Sequence, residues 1–170
     1  TGLAITELST LFENLKPDIV VTVADRFETL ATAVAASYMN ITLAHTQGGE
    51  VTGSIDESVR HAITKLSHIH FPATENSGRI LEKLGEDPDA IHIVGCPSID
   101  AICNLDFALQ TDIFEDRGVG PPIDQDQPYL VVLQHPVTTE YNESYEQMNH
   151  TLQAVRKSGL QALILWPNVD

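Results

Sequence analysis

Short apolar runs alternate with segments of helical periodicity almost throughout these 170 residues. That alternation constrains the fold more than any other feature, because a strand–helix–strand succession is satisfied by a parallel sheet with helices packed on it. Leu3 to Leu15 reads as a helix with Leu3, Leu8, Leu11, Phe12 and Leu15 inward, and Pro17-Asp18 then turns the chain into a buried strand, Ile19 to Val23. Ala24-Asp25 follows, and Phe27, Leu30, Ala31, Val34 and Tyr38 mark the next helix. Ile41 to His45 is a second strand, a helix starts at Ile55, and a third strand lies near Ile69 to Pro72. Thr74 to Leu84 reads as helix, Ala90 to Val94 as strand, and Gly95-Cys96-Pro97-Ser98 opens a helix with Ile99, Ile102, Cys103 and Leu109 on one face.

The pattern breaks between Thr111 and Gln127, where acidic residues, Gly118, Gly120, Pro121 and Pro122 accumulate. Such punctuation marks a linker. The expected organisation is therefore a first unit over 1–110, a linker over 111–127 and the start of a second unit over 128–170. The second unit holds a strand Tyr129 to Leu133, a loop Gln134 to Glu140, a helix carrying Met148, Leu152 and Val155, and a strand Ala162 to Trp166. The chain opens on Thr1 and stops at Asp170 just after that strand, which reads as a piece of something longer.

Chemistry concentrates between His45 and Phe71, in HTQGGEVTGSIDESVRHAITKLSHIHF. Ser54 with Glu57 three residues on fits a capping box. Beyond it, Ile55, Val59, Ala62, Ile63 and Leu66 form an apolar stripe, while the pairs Asp56/Arg60 and Glu57/His61 are spaced for contact on the polar side. The preceding loop, Gln47 to Gly53, contains three glycines and Glu50. Glycine lets backbone amides come close to a ligand, and a helix N-terminus beyond such a loop favours an anion such as a diphosphate.

Ligands of open parallel sheets bind at the carboxyl ends of the strands. Asp25, His45 with Gln47, and His135 all fall at such ends. Asp25 is equally placed to cap the following helix, and His135 either hydrogen-bonds its own loop or serves as a proton donor. His45, Asp56, His61, His68 and His70 lie close in sequence, yet no HxxxH or CxxC spacing supports a metal. Cys96 and Cys103 are too few for a disulfide framework, which fits a reducing cytoplasm. With 24 acidic against 9 basic residues, a formal charge of −15 disfavours nucleic acid and anionic membranes as partners. No apolar run approaches the roughly 20 residues of a membrane span.

Five collinear motifs, ADRFETLA at 24–31, GGEVTGSIDESVRHAITKLSHIHF at 48–71, GCPSID at 95–100, LQHPVTTE at 133–140 and WPNVD at 166–170, resemble the UDP-N-acetylglucosamine 2-epimerase family. They are nearest its hydrolysing branch, which feeds sialic and related nonulosonic acids. The resemblance implies α/β architecture: two Rossmann-like domains of the glycosyltransferase-B type with the substrate between them. It also implies a cytoplasmic protein, homo-oligomeric when full length, that needs no cofactor and binds a UDP-sugar.

By the same resemblance, Asp25, Asp56 and His135 are catalytic and Arg60 lies near the substrate, while the strand-end residues His45 and Gln47 and the loop glycines Gly48 and Gly49 are read as substrate-binding. Gln47 stands where much of the family has a glutamate, and an amide cannot act as a general base. Either Glu50 supplies the carboxylate, or Gln47 positions substrate, or the enzyme is weakened. The rival functions are a nucleotide-sugar binding protein without catalysis and a glycosyltransferase of the same architecture. The chain lacks the family's N-terminal strand and most of the second domain, and by itself is expected to be inactive.

Overall fold

A computed structural model describes residues 1–106 and 118–167. Leu109, 111–117 of the expected linker, and the last three residues of WPNVD lie outside the described residues. The chain divides into two compact units, Thr1–Leu105 and Asp106–Asp170. Each is an α/β unit built on a parallel sheet.

The first unit runs α1 (Gly2–Leu15), β1 (Ile19–Val23), α2 (Phe27–Tyr38), β2 (Thr42–Thr46), α3 (Ile55–Leu66), β3 (Ile69–Phe71), α4 (Glu75–Lys83) and α5 (Pro97–Cys103). Its strands are ordered β1-β2-β3 and all are parallel, with Val23 opposite Thr46 and His45 opposite His70. Both crossovers advance in one direction, so right-handed connections place α2 and α3 on one face of the sheet, where they pack together. The core lies beneath them: Phe12, Val20, Ala33, Ala35, Ala36, Leu43 and Ile63. Alanines along α2 permit its close approach to the sheet.

That arrangement corrects several expectations. β1 is buried on one face only, since Ile19, Val21 and Val23 point away from the helices and are more than half exposed. In α1 only Phe12 is fully buried, while Leu3, Leu11 and Leu15 are exposed, because one narrow seam of the helix meets α2. The expected strand Ala90 to Val94 reduces to one bridge, His70 with Ile91, plus amides of His92 and Val94 bonded to the carbonyls of His70 and Pro72. A 3-10 turn at Pro88–Ala90 takes up its first residue. On α5, Ile99 and Ile102 remain about half exposed.

α3 departs most. Its buried residues are Arg60, Ile63 and Thr64, whereas Ile55 and Ala62 are exposed. Val59, Ile63 and Leu66 of the apolar stripe do pack on the core, and Arg60 and Thr64 are buried with them because both find polar partners inside. The Asp56/Arg60 surface pair therefore does not form, although His61 lies 3.8 Å from Glu57 as its spacing suggested. Ser54 is the N-cap, but no capping box closes. Its hydroxyl donates to Asp56 at 3.0 Å, and Glu57 reaches past it to other amides.

The second unit contains β4 (Tyr129–Val132), a 3-10 segment (Thr138–Glu143), α6 (Ser144–Ser158) and β5 (Gln161–Ile164). β4 and β5 pair in parallel, Tyr129 opposite Gln161, so β4-α6-β5 is one βαβ crossover. α6 ends on Gly159 at φ +70°, a left-handed C-cap that glycine adopts without a Cβ penalty.

Candidate active site

At the carboxyl ends of β1 and β2, two non-glycine residues, Ala24 and Gln47, sit side by side in the left-handed region, at φ +58° and +59°. Each continues the ladder by one bond: the Ala24 amide donates to Thr46 and the Gln47 amide to Phe71. Such backbone strain costs of order 1 kcal/mol per residue and persists only where the surroundings impose it. For Ala24 the imposing group is His45. Its Nε2 lies 2.8 Å from the Ala24 carbonyl, which can only accept, so Nε2 carries the proton and Nδ1 accepts from the Thr64 hydroxyl at 3.2 Å. His45 is fully buried, and that burial lowers its pKa to about 4. It is a neutral imidazole with both nitrogens engaged inside the protein.

The turn at Ala24 delivers Asp25. The N-cap of α2 is Arg26 rather than Asp25, and the Asp25 carboxylate instead receives Nη2 of Arg60. Arg60 Nη1 donates to the Glu50 carbonyl at 2.7 Å. One buried guanidinium thus joins the end of β1, the start of α3 and the glycine-rich loop. Glu50 is held by its backbone, and its carboxylate makes no hydrogen bond among the described residues.

The loop itself is shaped by contact. At Gly49, φ +80°, a Cβ would collide with the Ser77 carbonyl of α4. A Cβ at Gly48 would meet His45 Nδ1 at 3.1 Å and Thr64 Oγ1 at 3.2 Å. Further along, the Glu57 carboxylate accepts from the amides of Thr52 and Gly53 at 2.8 and 2.7 Å. Asp56, in the first turn of α3, is exposed with its carboxylate on the Ser54 hydroxyl. The side chain of Gln47 turns toward α5, its Nε2 being 3.5 Å from the sulfur of Cys96. Backbone amides of Ile99 and Ser98 hold the Cys96 thiol below its ordinary pKa.

The remaining histidines have separate partners. His70 Nε2 is 3.1 Å from Glu86, which also binds Lys65, and His68 Nδ1 accepts from the Leu43 amide. Among the described residues, no three His, Cys, Asp or Glu side chains converge to hold a metal ion. In the second unit, His135 lies three residues beyond β4 and is exposed, while its neighbour Gln134 is anchored by the Thr151 hydroxyl of α6.

A family model described as UDP-N-acetylglucosamine 2-epimerase matches residues 1–170. The chain belongs to that family. It is 40% identical over 161 residues to the UDP-N,N'-diacetylbacillosamine 2-epimerase (hydrolyzing) of Legionella pneumophila, an alignment covering 94% of this chain and 41% of that protein. With the UDP-N-acetylglucosamine 2-epimerase of Neisseria meningitidis it shares 34% identity over 169 residues, 99% of this chain and 44% of the other. Among solved structures, S. aureus MnaA with UDP superposes at a TM-score of 0.81 and 20% identity, covering 99% of this chain and 46% of that one. The fold is therefore that of these glycosyltransferase-B-like epimerases. The chain spans about two fifths of the length of these curated relatives.

Sequence reasoning missed two residues that shape this site, Ala24 and Thr64, and gave Glu57 a different partner. Thr64 carried a signal, a hydroxyl amid the apolar side of a helix, four residues after a buried arginine. The left-handed turn at Ala24 carried none, because it is imposed by His45 from the neighbouring strand.

Proposed function

We propose that the complete protein is a hydrolysing 2-epimerase, converting UDP-N-acetylglucosamine or a related UDP-2-acetamido sugar to UDP and a free N-acetylmannosamine-type sugar. Residues 1–110 then form the later part of a first Rossmann-like domain and 128–170 the beginning of a second, joined by 111–127. The observation that carries the reading is the placement of Asp25, held at a strand end by buried Arg60, which also binds the carbonyl of Glu50 in the glycine-rich loop. The 40% identity to a relative named as hydrolysing supports this branch.

In the first step a carboxylate removes the C2 proton, a C1–C2 double bond forms, and the C1–oxygen bond breaks with its electron pair leaving on UDP. In the second, water adds its oxygen to C1 and a proton returns to C2 from the opposite face. Asp25 and Asp56 serve as the proton-transferring and cation-stabilising carboxylates, and His135 protonates the departing group. Gly48 and Gly49 bring backbone close to substrate, and Glu50 or Gln47 completes the polar lining. Arg60 and His45 act by fixing Asp25 and Ala24. We further propose a cytoplasmic homo-oligomer.

Gln47 favours a second reading, a UDP-sugar binding protein without turnover. Incubating the full-length protein with UDP-N-acetylglucosamine and with a diacetylated 6-deoxy analogue separates the readings. Release of UDP and free 2-epimerised sugar is expected. Binding without release supports the second reading, and transfer to an acceptor with no free sugar in its absence would make the protein a glycosyltransferase.

A further inference from the structure

Glu57 was read as a capping-box acid, but it does not bind the N-cap amide. Its Oε2 takes both the Thr52 and Gly53 amides, at 2.8 and 2.7 Å, and these amides are the main reason its pKa is lowered. One turn along α3, Arg60 binds the Glu50 carbonyl. On the upstream side, Gly49 is pressed against the Ser77 carbonyl. The segment from Gly49 to Gly53 is consequently held at three points, two of them side chains of α3.

We propose that Glu57 is a positioning residue that pre-forms the glycine-rich loop for the UDP-sugar. The proposal rests on the function proposed above. The Glu57 carboxylate points back along the chain to two backbone amides, so its work is done before substrate arrives. Without it, Thr52 and Gly53 lose their shared acceptor, and Gly53, with open space around its Cα and φ +71°, is free to leave the left-handed region. Substrate must then order the loop on binding, which reduces apparent affinity by the fraction of molecules already competent. The chemical step, carried by other carboxylates, is not touched.

The test uses the full-length protein and two substitutions. Glu57→Ala is expected to raise KM about 10-fold with kcat within about 3-fold. Glu57→Gln, whose amide oxygen still accepts from both backbone amides, is expected to recover most of that loss. Hydrogen exchange at Thr52 and Gly53 should accelerate at least about 10-fold in Glu57→Ala while β2 and β3 amides stay protected. Unchanged exchange at Thr52 and Gly53 overturns the proposal. So does a fall in kcat at constant KM, or a Glu57→Gln variant as impaired as Glu57→Ala, since either makes the charge itself part of the chemistry. If the wild type fails to release UDP, the function above falls, and the exchange measurement still decides the loop.

Discussion

Arg60, buried on α3, is ion-paired with Asp25 at the end of β1. The pair makes one unit of the sheet edge and the helix that follows the glycine-rich loop. Removing one member of a buried pair leaves the other charge uncompensated, typically at 3–5 kcal/mol. Asp25 retains 20% side-chain exposure against 4% for Arg60, so water relieves part of that cost. Arg60→Ala is expected to destabilise the full-length protein by about 3 kcal/mol. Asp25→Asn should cost less, because an amide oxygen still accepts from Nη2. Urea unfolding of both variants checks the order, and equal, sub-kilocalorie effects would deny that the pair joins these elements.

His45 gives the fold a pH dependence. In the folded chain it stays neutral down to about pH 4, whereas an unfolded chain protonates it near the ordinary histidine value of 6.5. Between those values the unfolded state binds more protons, so stability falls as pH drops from 6.5 toward 4. Burial lowers His70 as well and adds to the same slope. His45→Gln, with no proton to gain in this window, should show a shallower decline of unfolding free energy from pH 7 to 4.5. Parallel curves for variant and wild type would contradict the assignment.

The three loop glycines should differ in what they tolerate. Gly49→Ala brings a Cβ into the Ser77 backbone at positive φ and is expected to be the most damaging. Gly48→Ala has ordinary φ but crowds His45 and Thr64, whereas Gly53→Ala meets open space and pays only for its φ, about 1 kcal/mol. Thermal unfolding should rank them Gly49, Gly48, Gly53. A Gly53→Ala variant as unstable as Gly49→Ala would mean the loop is packed differently.

Much of this was legible in the sequence. The βαβ succession, β1 at Ile19 to Val23 and the α3 start at Ser54 all follow from periodicity and local chemistry. What escaped depends on partners distant in sequence. The burial of Arg60 and Thr64 on α3 depends on Asp25 and His45, which come from the ends of β1 and β2. β1 looked wholly buried because five consecutive apolar or β-branched residues do not say which face a helix will cover. The capping box failed for a local reason, since two upstream amides compete for the same carboxylate.

For the acids, Asp25→Asn and Asp56→Asn in the full-length protein are each expected to lower kcat by about 100-fold or more. If Glu50 supplies the carboxylate missing at Gln47, Glu50→Gln is comparably damaging and Gln47→Glu is tolerated; if Gln47 positions substrate, the order reverses. Turnover should survive a chelator. Near-normal rates in both aspartate variants, or activity lost to a chelator and restored by a divalent ion, would refute the proposed site.

The central claim is elimination followed by hydration. Its most direct test is to react the full-length protein with UDP-N-acetylglucosamine in deuterated, oxygen-18-enriched water and read the sugar product by NMR and mass spectrometry. The account predicts free sugar of inverted C2 configuration, carrying deuterium at C2 and the heavy oxygen at C1, with unlabelled UDP. An epimerised sugar still attached to UDP, or free sugar without deuterium at C2, would contradict it.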